Sequence, residues 1–143
     1  MKRIMDNTFM TRYRKSNEHL NRAEKTIPLG SQTFSKSSTQ YPVGISPLFA
    51  VKAKGAYIWD LDNNRYFDLV NSLAAITLGY RNKTVDRSVK NQLKKGSIFS
   101  LPGLLEAEVA ELIINLVPSA EQVRFGKNGT DATTAAIRLA RAY

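Results

Sequence analysis

Near its C-terminal end the chain reads VRFGKNGTDATTAAIRLARAY, a short β-like run that breaks on two glycines and restarts at once as a helix. This junction constrains the fold most, because a glycine-relieved turn feeding a helix N-terminus aims free backbone N–H groups outward and can hold an anion. The other reading is a plain strand-to-helix connection. Gly126 and Gly129 permit positive φ and close approach, Thr130 offers a hydroxyl, and Asp131 suits a first helical turn. Those are the parts of a phosphate cup. The run matches neither the P-loop nor the dinucleotide fingerprint G-x-G-x-x-G, which lowers the weight of nucleotide binding. Taken alone, the turn is divided evenly between connection and phosphate site.

With 143 residues, 43% of them hydrophobic and 23% charged, the chain has the composition of one soluble domain with a real core. No apolar run approaches the roughly 20 residues that span a bilayer, and MKRIMDNTFMTRYRK lacks the apolar core of a signal peptide. A cytoplasmic protein without a membrane partner is expected. Zero cysteines exclude disulfides, thiolate nucleophiles and Cys-based zinc sites, and the single His19 leaves no histidine cluster for a metal. His19 itself reads as a solvated helix residue without a role. The net charge of +9 brings polyanions into view: residues 1–36 carry eight Lys or Arg against three Asp or Glu, and residues 37–143 thirteen against nine. The cations are scattered singly with few aromatics between them. A basic nucleic-acid-binding module, or a non-catalytic structural domain, is therefore a minority reading.

In SNEHLNRAEKTIPLG, Leu20, Ala23 and Ile27 recur at helical spacing, with Ser16 as N-cap and Pro28 and Gly30 as the stop. SQTFSKSSTQYPVGISP keeps no period and reads as an extended loop. FAVKAKGAYIWDLDNNRYFDLV alternates through Ala56, Ile58 and Tyr66 around a polar turn, where Asn63 or Asn64 can take the left-handed conformation. This is a hairpin, with Trp59, Tyr57, Tyr66 and Phe67 as packing surface rather than a ligand box. Val85, Val89 and Leu93 mark one stripe of a helix that stops at Gly96. A stronger stripe, Leu105, Val109, Leu112, Ile113 and Leu116, has Glu106 and Glu108 near its positive end and Pro118 behind it. Residues 123–125 read as a short strand, and Thr130 or Asp131 opens a last helix in which Ala132, Ala135, Ala136 and Ala140 permit close packing.

The ordered set RAEKTIPLG, GAYIWDLDNNRYFDLV, LGY, LEAEVAELI and VPSAEQVRFGKNGTDATTAAIRLARAY resembles the N-terminal third of a class III aminotransferase. That family is pyridoxal-phosphate (PLP) dependent and has the aspartate-aminotransferase fold; the closest resemblance is to its glutamate-1-semialdehyde aminomutase branch. It implies an α/β fold: an N-terminal helix, loop and β-hairpin over residues 1–70, part of a small domain, then the beginning of the large PLP-binding domain over 71–143, its sheet incomplete. In the family a Ser-Gly-Thr-Glu-Ala segment wraps the PLP phosphate at a helix N-terminus. By position this carries over to Asn128, Gly129 and Thr130, followed by Asp131 and Ala132. Gly129 and Thr130 would donate backbone N–H groups, the Thr130 hydroxyl would add a bond, and Asn128 replaces the usual Ser with an amide that can still donate. Lys127 reads as solvent-facing.

On the substrate side, the aminomutase branch places an aromatic ring from a Ser-Trp-Gly segment at the pocket, whereas NSLAAITLGY has Leu73 there. The branch's basic residue after Pro-Gly-Gly, which helps hold a substrate carboxylate, is matched most nearly by Lys36, which lacks the bidentate fork of Arg. These departures favour a related aminotransferase acting on other small amino and carbonyl substrates, with the aminomutase as the alternative. The family's cofactor-bonding lysine, its acidic partner for the pyridine nitrogen and its stacking ring have no match in this stretch, so no catalytic residue and no metal ligand is nominated. The resemblance implies a fragment, silent alone, of a larger enzyme whose active sites lie at a homodimer interface.

Overall fold

The computed structural model describes residues 12–143, so the start of the basic arm, with Lys2 and Arg3, lies outside the described residues. The chain divides into two compact units, Met1–Gln92 and Leu93–Tyr143.

In the first unit, helix α1 (Arg14–Ala23) buries Leu20 and Ala23 on its inner face, as their spacing predicts. The expected N-cap, Ser16, lies inside the first turn and is fully buried, while Tyr13 stands at the cap position. Capping comes from far along the chain instead. The Asp62 carboxylate accepts from Lys15 N at 2.8 Å, Ser16 N at 2.9 Å and Ser16 Oγ at 2.6 Å. It satisfies orphan donors and places negative charge at the positive end of the helix. The helix also ends before Ile27, and a 3-10 turn, Pro28–Gly30, folds back on it. Gly30 is required there: its φ is +66°, and a Cβ would lie 2.7 Å from Leu20 Cδ1.

Burial by itself would push the Asp62 carboxyl up, but the bonds from the Ser16 hydroxyl and the Lys15 and Ser16 amides, with the Lys15 charge, hold it below its ordinary value of 3.8. A depressed folded value contributes stability that is present above the unfolded value and is lost as pH falls through the folded one. Asp62→Ala is therefore expected to lower the protection of α1 amides against hydrogen exchange by about 1–3 kcal/mol near neutral pH. The gap between the two proteins should close below pH 3.8. A gap that ignores pH would show that the ionised carboxylate is not the cap.

Beyond Gly30 the loop contains a second 3-10 turn, Phe34–Lys36, and lesser turns before the first strand. Strands β1 (Ala50–Lys54), β2 (Tyr57–Asp60) and β3 (Arg65–Phe67) then form an antiparallel sheet in that order. The expected hairpin is β2–β3, with Ile58 opposite Tyr66 and Asn63 left-handed at φ 73°. A second hairpin joins β1 to β2 and has an irregular register between Ala50 and Lys52. Period-two alternation sorts the side chains. Lys52 Nζ sits 4.8 Å from the Trp59 ring centre, the Arg65 guanidinium 4.9 Å from that of Tyr57, and Tyr57 meets Phe67 edge-on at 5.4 Å. Ile58 and Asp60 alternate with these aromatic positions. His19 is not simply solvated: it is half-buried, edge-on to Phe49 with ring centres 4.5 Å apart.

Beyond β3, Asn71, Ser72, Leu73 and Ala74 take φ values of 53°, 49°, 59° and 67°, a single left-handed turn containing no glycine. Each such residue costs roughly 1–2 kcal/mol, so the surrounding contacts must hold it. The chain then returns to the sheet. Gly55 and Tyr80 exchange backbone hydrogen bonds of 2.9 Å in both directions. Gly79, at φ +81°, makes that approach possible, since a Cβ there would lie 3.3 Å from the Gly55 carbonyl oxygen. Helix α2 (Lys83–Leu93) follows with the expected stripe, its start capped by Asn82 Oδ1, which accepts from Thr84 N and Val85 N.

The second unit holds α3 (Leu104–Leu116) and α4 (Gly129–Ala142). Glu106 Oε1 accepts from Gly103 N at 2.8 Å at the start of α3, the role its position suggests. The apolar stripe of α3 is formed but uncovered among the described residues: Leu105, Val109, Leu112 and Leu116 are all exposed. The strand expected over 123–125 is irregular. A strand needs a neighbour for its N–H and C=O groups, and no ladder partner for it exists among the described residues.

Candidate functional site

Among the described residues, each unit offers a place that can do chemistry. In the second it is the turn into α4. Asn128 stands at the N-cap, and its Oδ1 accepts from Asp131 N at 3.0 Å. The helix therefore opens at Gly129, earlier than Thr130 or Asp131, because the Asn128 amide oxygen supplies the cap. Asn128 is thus an acceptor within the turn, and its Nδ2 group makes no bond among the described residues. Asp131 turns its own carboxylate back to accept from Lys127 N at 3.2 Å. Thr133, not Thr130, donates its hydroxyl to the first carbonyls of the helix, at 3.1 Å each.

Neither Gly126 nor Gly129 takes positive φ, contrary to the expectation from the sequence. Their smallness is used differently. A Cβ on Gly126 would come within 3.1 Å of Asp131 Cβ, while Gly129 faces open space with nothing within 4 Å of such an atom. The N–H groups of Gly129 and Thr130 occupy the first two helical positions, whose donors have no intrahelical acceptor, and the Thr130 hydroxyl has no partner among the described residues. A phosphate group fits this arrangement: bare backbone, two unbonded donors, a nearby hydroxyl and the positive end of a 14-residue helix.

In the first unit the site is a cavity of about 470 Å³. Phe49, Ile58, Phe67, Val70 and Leu73 contribute apolar wall, and Lys36, Asp60, Tyr66, Asp68, Ser72 and Tyr80 contribute polar groups. Lys36 and Leu73, singled out from the sequence, both line it. So do Tyr66 and Phe67, which the sequence assigns to packing. Tyr66 does both: its hydroxyl lies 3.4 Å from that of buried Tyr13, while part of its surface remains on the cavity wall.

Asp60 is 1% exposed and accepts from Asn64 N, Asn64 Nδ2 and Tyr66 OH, each at 2.8 Å. Burial, the Tyr13 hydroxyl and the Asp60 carboxylate hold the Tyr66 phenol far above its ordinary value, so it remains a donor. Asp68 is engaged likewise: Oδ2 accepts from Tyr80 OH at 2.6 Å, and Oδ1 from Val70 N and Asn71 N at 3.0 Å each. The bond to Asp68, followed by burial, raises the Tyr80 phenol. Both carboxylates are thus occupied by internal donors. Lys36, the sole cation among the lining residues, makes no ion pair among the described residues. Sequence reasoning missed Asp60, Asp68 and Tyr80. The available signal was Asp60 two residues after Ile58, an acid at an inward strand position with a tyrosine opposite the strand to answer it.

Comparison with known proteins places this chain in a family. The family model for Aminotransferase class-III matches residues 39–143. A glutamate-1-semialdehyde 2,1-aminomutase of Chloroflexus aggregans is 40% identical over 131 residues, 92% of this chain and 30% of the relative. Among solved structures, an omega-transaminase from Sphaerobacter thermophilus superposes with a TM-score of 0.80 at 34% identity, covering 92% of this chain and 30% of the other. A transaminase with PLP bound gives a TM-score of 0.81 at 26% identity, covering 91% and 30%. The chain belongs to the class III aminotransferase family and has the fold of PLP-dependent transaminases. It spans about 30% of the length of the curated relatives it matches. Among the described residues no helix is long and apolar enough to cross a membrane.

Proposed function

We propose that this chain supplies the cofactor-phosphate turn and part of the substrate cavity of a PLP-dependent aminotransferase that moves amino groups between small amino and carbonyl compounds. The observation that carries this reading is the pair of unbonded N–H groups at Gly129 and Thr130, opening a helix inside the segment that matches the family. Asn128 fixes the turn by capping it, Gly129 and Thr130 donate backbone bonds to the phosphate, and the Thr130 hydroxyl adds another. When bound, PLP supplies an electron sink for the carbon bearing the amino group. The rest of this chain's work is holding and sorting. The positive end of α4 offsets phosphate charge, and Gly126 lets Asp131 close on Lys127 N so that the turn keeps its shape. The apolar wall of the cavity receives the carbon body of the substrate, and the Lys36 ammonium pairs with a substrate carboxylate. No residue of this chain is assigned a proton transfer.

Isomerisation within one substrate is the second reading, and the aminomutase of Chloroflexus aggregans at 40% identity favours it. Leu73 in place of an aromatic ring, together with likeness to an omega-transaminase at 34% identity, weighs toward intermolecular transfer. The proposal extends to a cytoplasmic homodimer. The exposed α3 stripe and the alanine-rich α4 supply apolar and small-residue surface for assembly or for further parts of the protein. It also keeps residues 1–70 as part of a small domain and 71–143 as the start of the large PLP domain.

The test is amino transfer from a panel of amines to a keto acid by the full-length protein loaded with PLP. Transfer is expected. Efficient isomerisation of glutamate-1-semialdehyde without an added acceptor would establish the second reading, and failure to bind PLP would remove both. Lys36→Ala is expected to raise KM about tenfold or more for carboxylate-bearing substrates, and much less for amines without a carboxylate. Equal effects on both classes would remove Lys36 from the carboxylate role.

A further inference from the structure

Four consecutive residues at positive φ, none of them glycine, do not hold that shape unaided. Backbone bonds from Leu73 N to Val70 O at 3.0 Å and from Ile76 N to Asn71 O at 3.3 Å close the turn at 71–74 upon itself, and one carboxylate ties it to the rest of the fold. Asp68 Oδ1 takes the N–H groups of Val70, the residue before the turn, and of Asn71, its first residue, at 3.0 Å each. Its Oδ2 takes the Tyr80 phenol at 2.6 Å. Tyr80 is in turn fixed by its two-way backbone pairing with Gly55, an approach that the missing Cβ of Gly79 allows. The turn is thus tied through Asp68 and Tyr80 to the connection between β1 and β2, well away in sequence. Val70, Ser72 and Leu73 stand on the cavity wall, as do Asp68 and Tyr80 themselves.

We infer that Asp68 and Tyr80 are positioning residues for substrate selection, pinning the left-handed turn that sets Ser72 and Leu73 into the cavity wall. The inference rests on the aminotransferase reading of that cavity. Without the phenol hydroxyl, one oxygen of Asp68 loses its donor and the turn loses its tie to Gly55. The turn then relaxes from its left-handed geometry, and Leu73 shifts on the wall. The property this controls is tolerance of apolar bulk: an amino acid with an aromatic arm is discriminated from one with a short straight chain. The bond to Asp68 and burial raise the Tyr80 phenol, against an opposing bond with Ser72, so it stays a donor through neutral pH.

The experiment uses the full-length protein loaded with PLP and compares wild type, Tyr80→Phe and Asp68→Asn. It measures kcat and KM for an aromatic-armed and a short-chain amino acid, with thermal unfolding and cofactor affinity alongside. Tyr80→Phe removes only the hydroxyl, so it tests the idea even if Asp68→Asn fails to fold. The expected result is a change of about fivefold or more in the ratio of kcat/KM between the two substrates, carried by KM, with cofactor affinity as in wild type. An unchanged ratio in folded Tyr80→Phe, with transfer intact, would overturn the inference and leave the aminotransferase reading standing. An equal fall in kcat on both substrates, or loss of thermal stability without a shift in preference, would reduce the pair to a structural tie and overturn it too. Absence of amino transfer by the wild type would remove the reading beneath it.

Discussion

Gly129→Asp is expected to weaken PLP binding by about a hundredfold while leaving α4 as stable as before or slightly more so. The two effects have opposite signs for a physical reason. A carboxylate at the first helical position complements the helix dipole, which favours the helix by about 0.3–1 kcal/mol. A Cβ at Gly129 meets nothing within 4 Å, so the substitution carries no packing cost. The same carboxylate repels a phosphate bound at the first turn. Like charges a few ångströms apart at an effective dielectric near ~20 repel by roughly 3 kcal/mol, about a hundredfold in affinity. Cofactor titration followed by absorbance, with hydrogen exchange of the α4 amides, reads both quantities. Unchanged affinity with a stabilised helix would mark the turn as a plain connection.

The largest loss of stability is expected at Asp60. Removing its carboxylate leaves the Asn64 amide N–H, the Asn64 side-chain amide and the Tyr66 hydroxyl without their 2.8 Å acceptor, in a place where Asp60 itself is 1% exposed. Stranding several half-buried donors against a buried site costs more than the bonds were worth, and Asp60→Ala should lose about 2–4 kcal/mol in the protection of β2 and β3 amides. Tyr66→Phe removes one donor and leaves the acceptor satisfied by Asn64, so it should lose about 1 kcal/mol. Equal losses in the two variants would show that Asp60 does not organise the group.

Where a pattern was local, the sequence was enough to read it. The β2–β3 hairpin followed from alternation and from a turn with Asn63 available for the left-handed position. The stripes of α2 and α3 followed from their three- and four-residue spacing, and Glu106 from its place at the start of α3. The failures share one cause, which is dependence on a distant partner. Ser16 looks like an N-cap until Asp62, 46 residues on, claims its hydroxyl and amide. Residues 123–125 have the composition of a strand but, among the described residues, no neighbour to pair with. Asp60 looks like turn chemistry and Asp68 carries no local signal, and only the fold brings Tyr66 and Tyr80 to them. The left-handed turn at 71–74 was invisible for a related reason: of its residues only Asn tolerates positive φ, Ser, Leu and Ala do not favour it, and the contacts through Asp68 come from outside the turn. At Gly126 and Gly129 the residue type was informative but its use was misread, since what matters there is room rather than φ.

The most direct test of the central claim is a crystal structure of the full-length protein with PLP bound. The prediction is that phosphate oxygens lie within hydrogen-bonding distance, roughly 2.7–3.2 Å, of Gly129 N and Thr130 N, with the Thr130 hydroxyl on the same group. A phosphate seated elsewhere, with those two amides turned to water or packed against neighbouring chain, would contradict it.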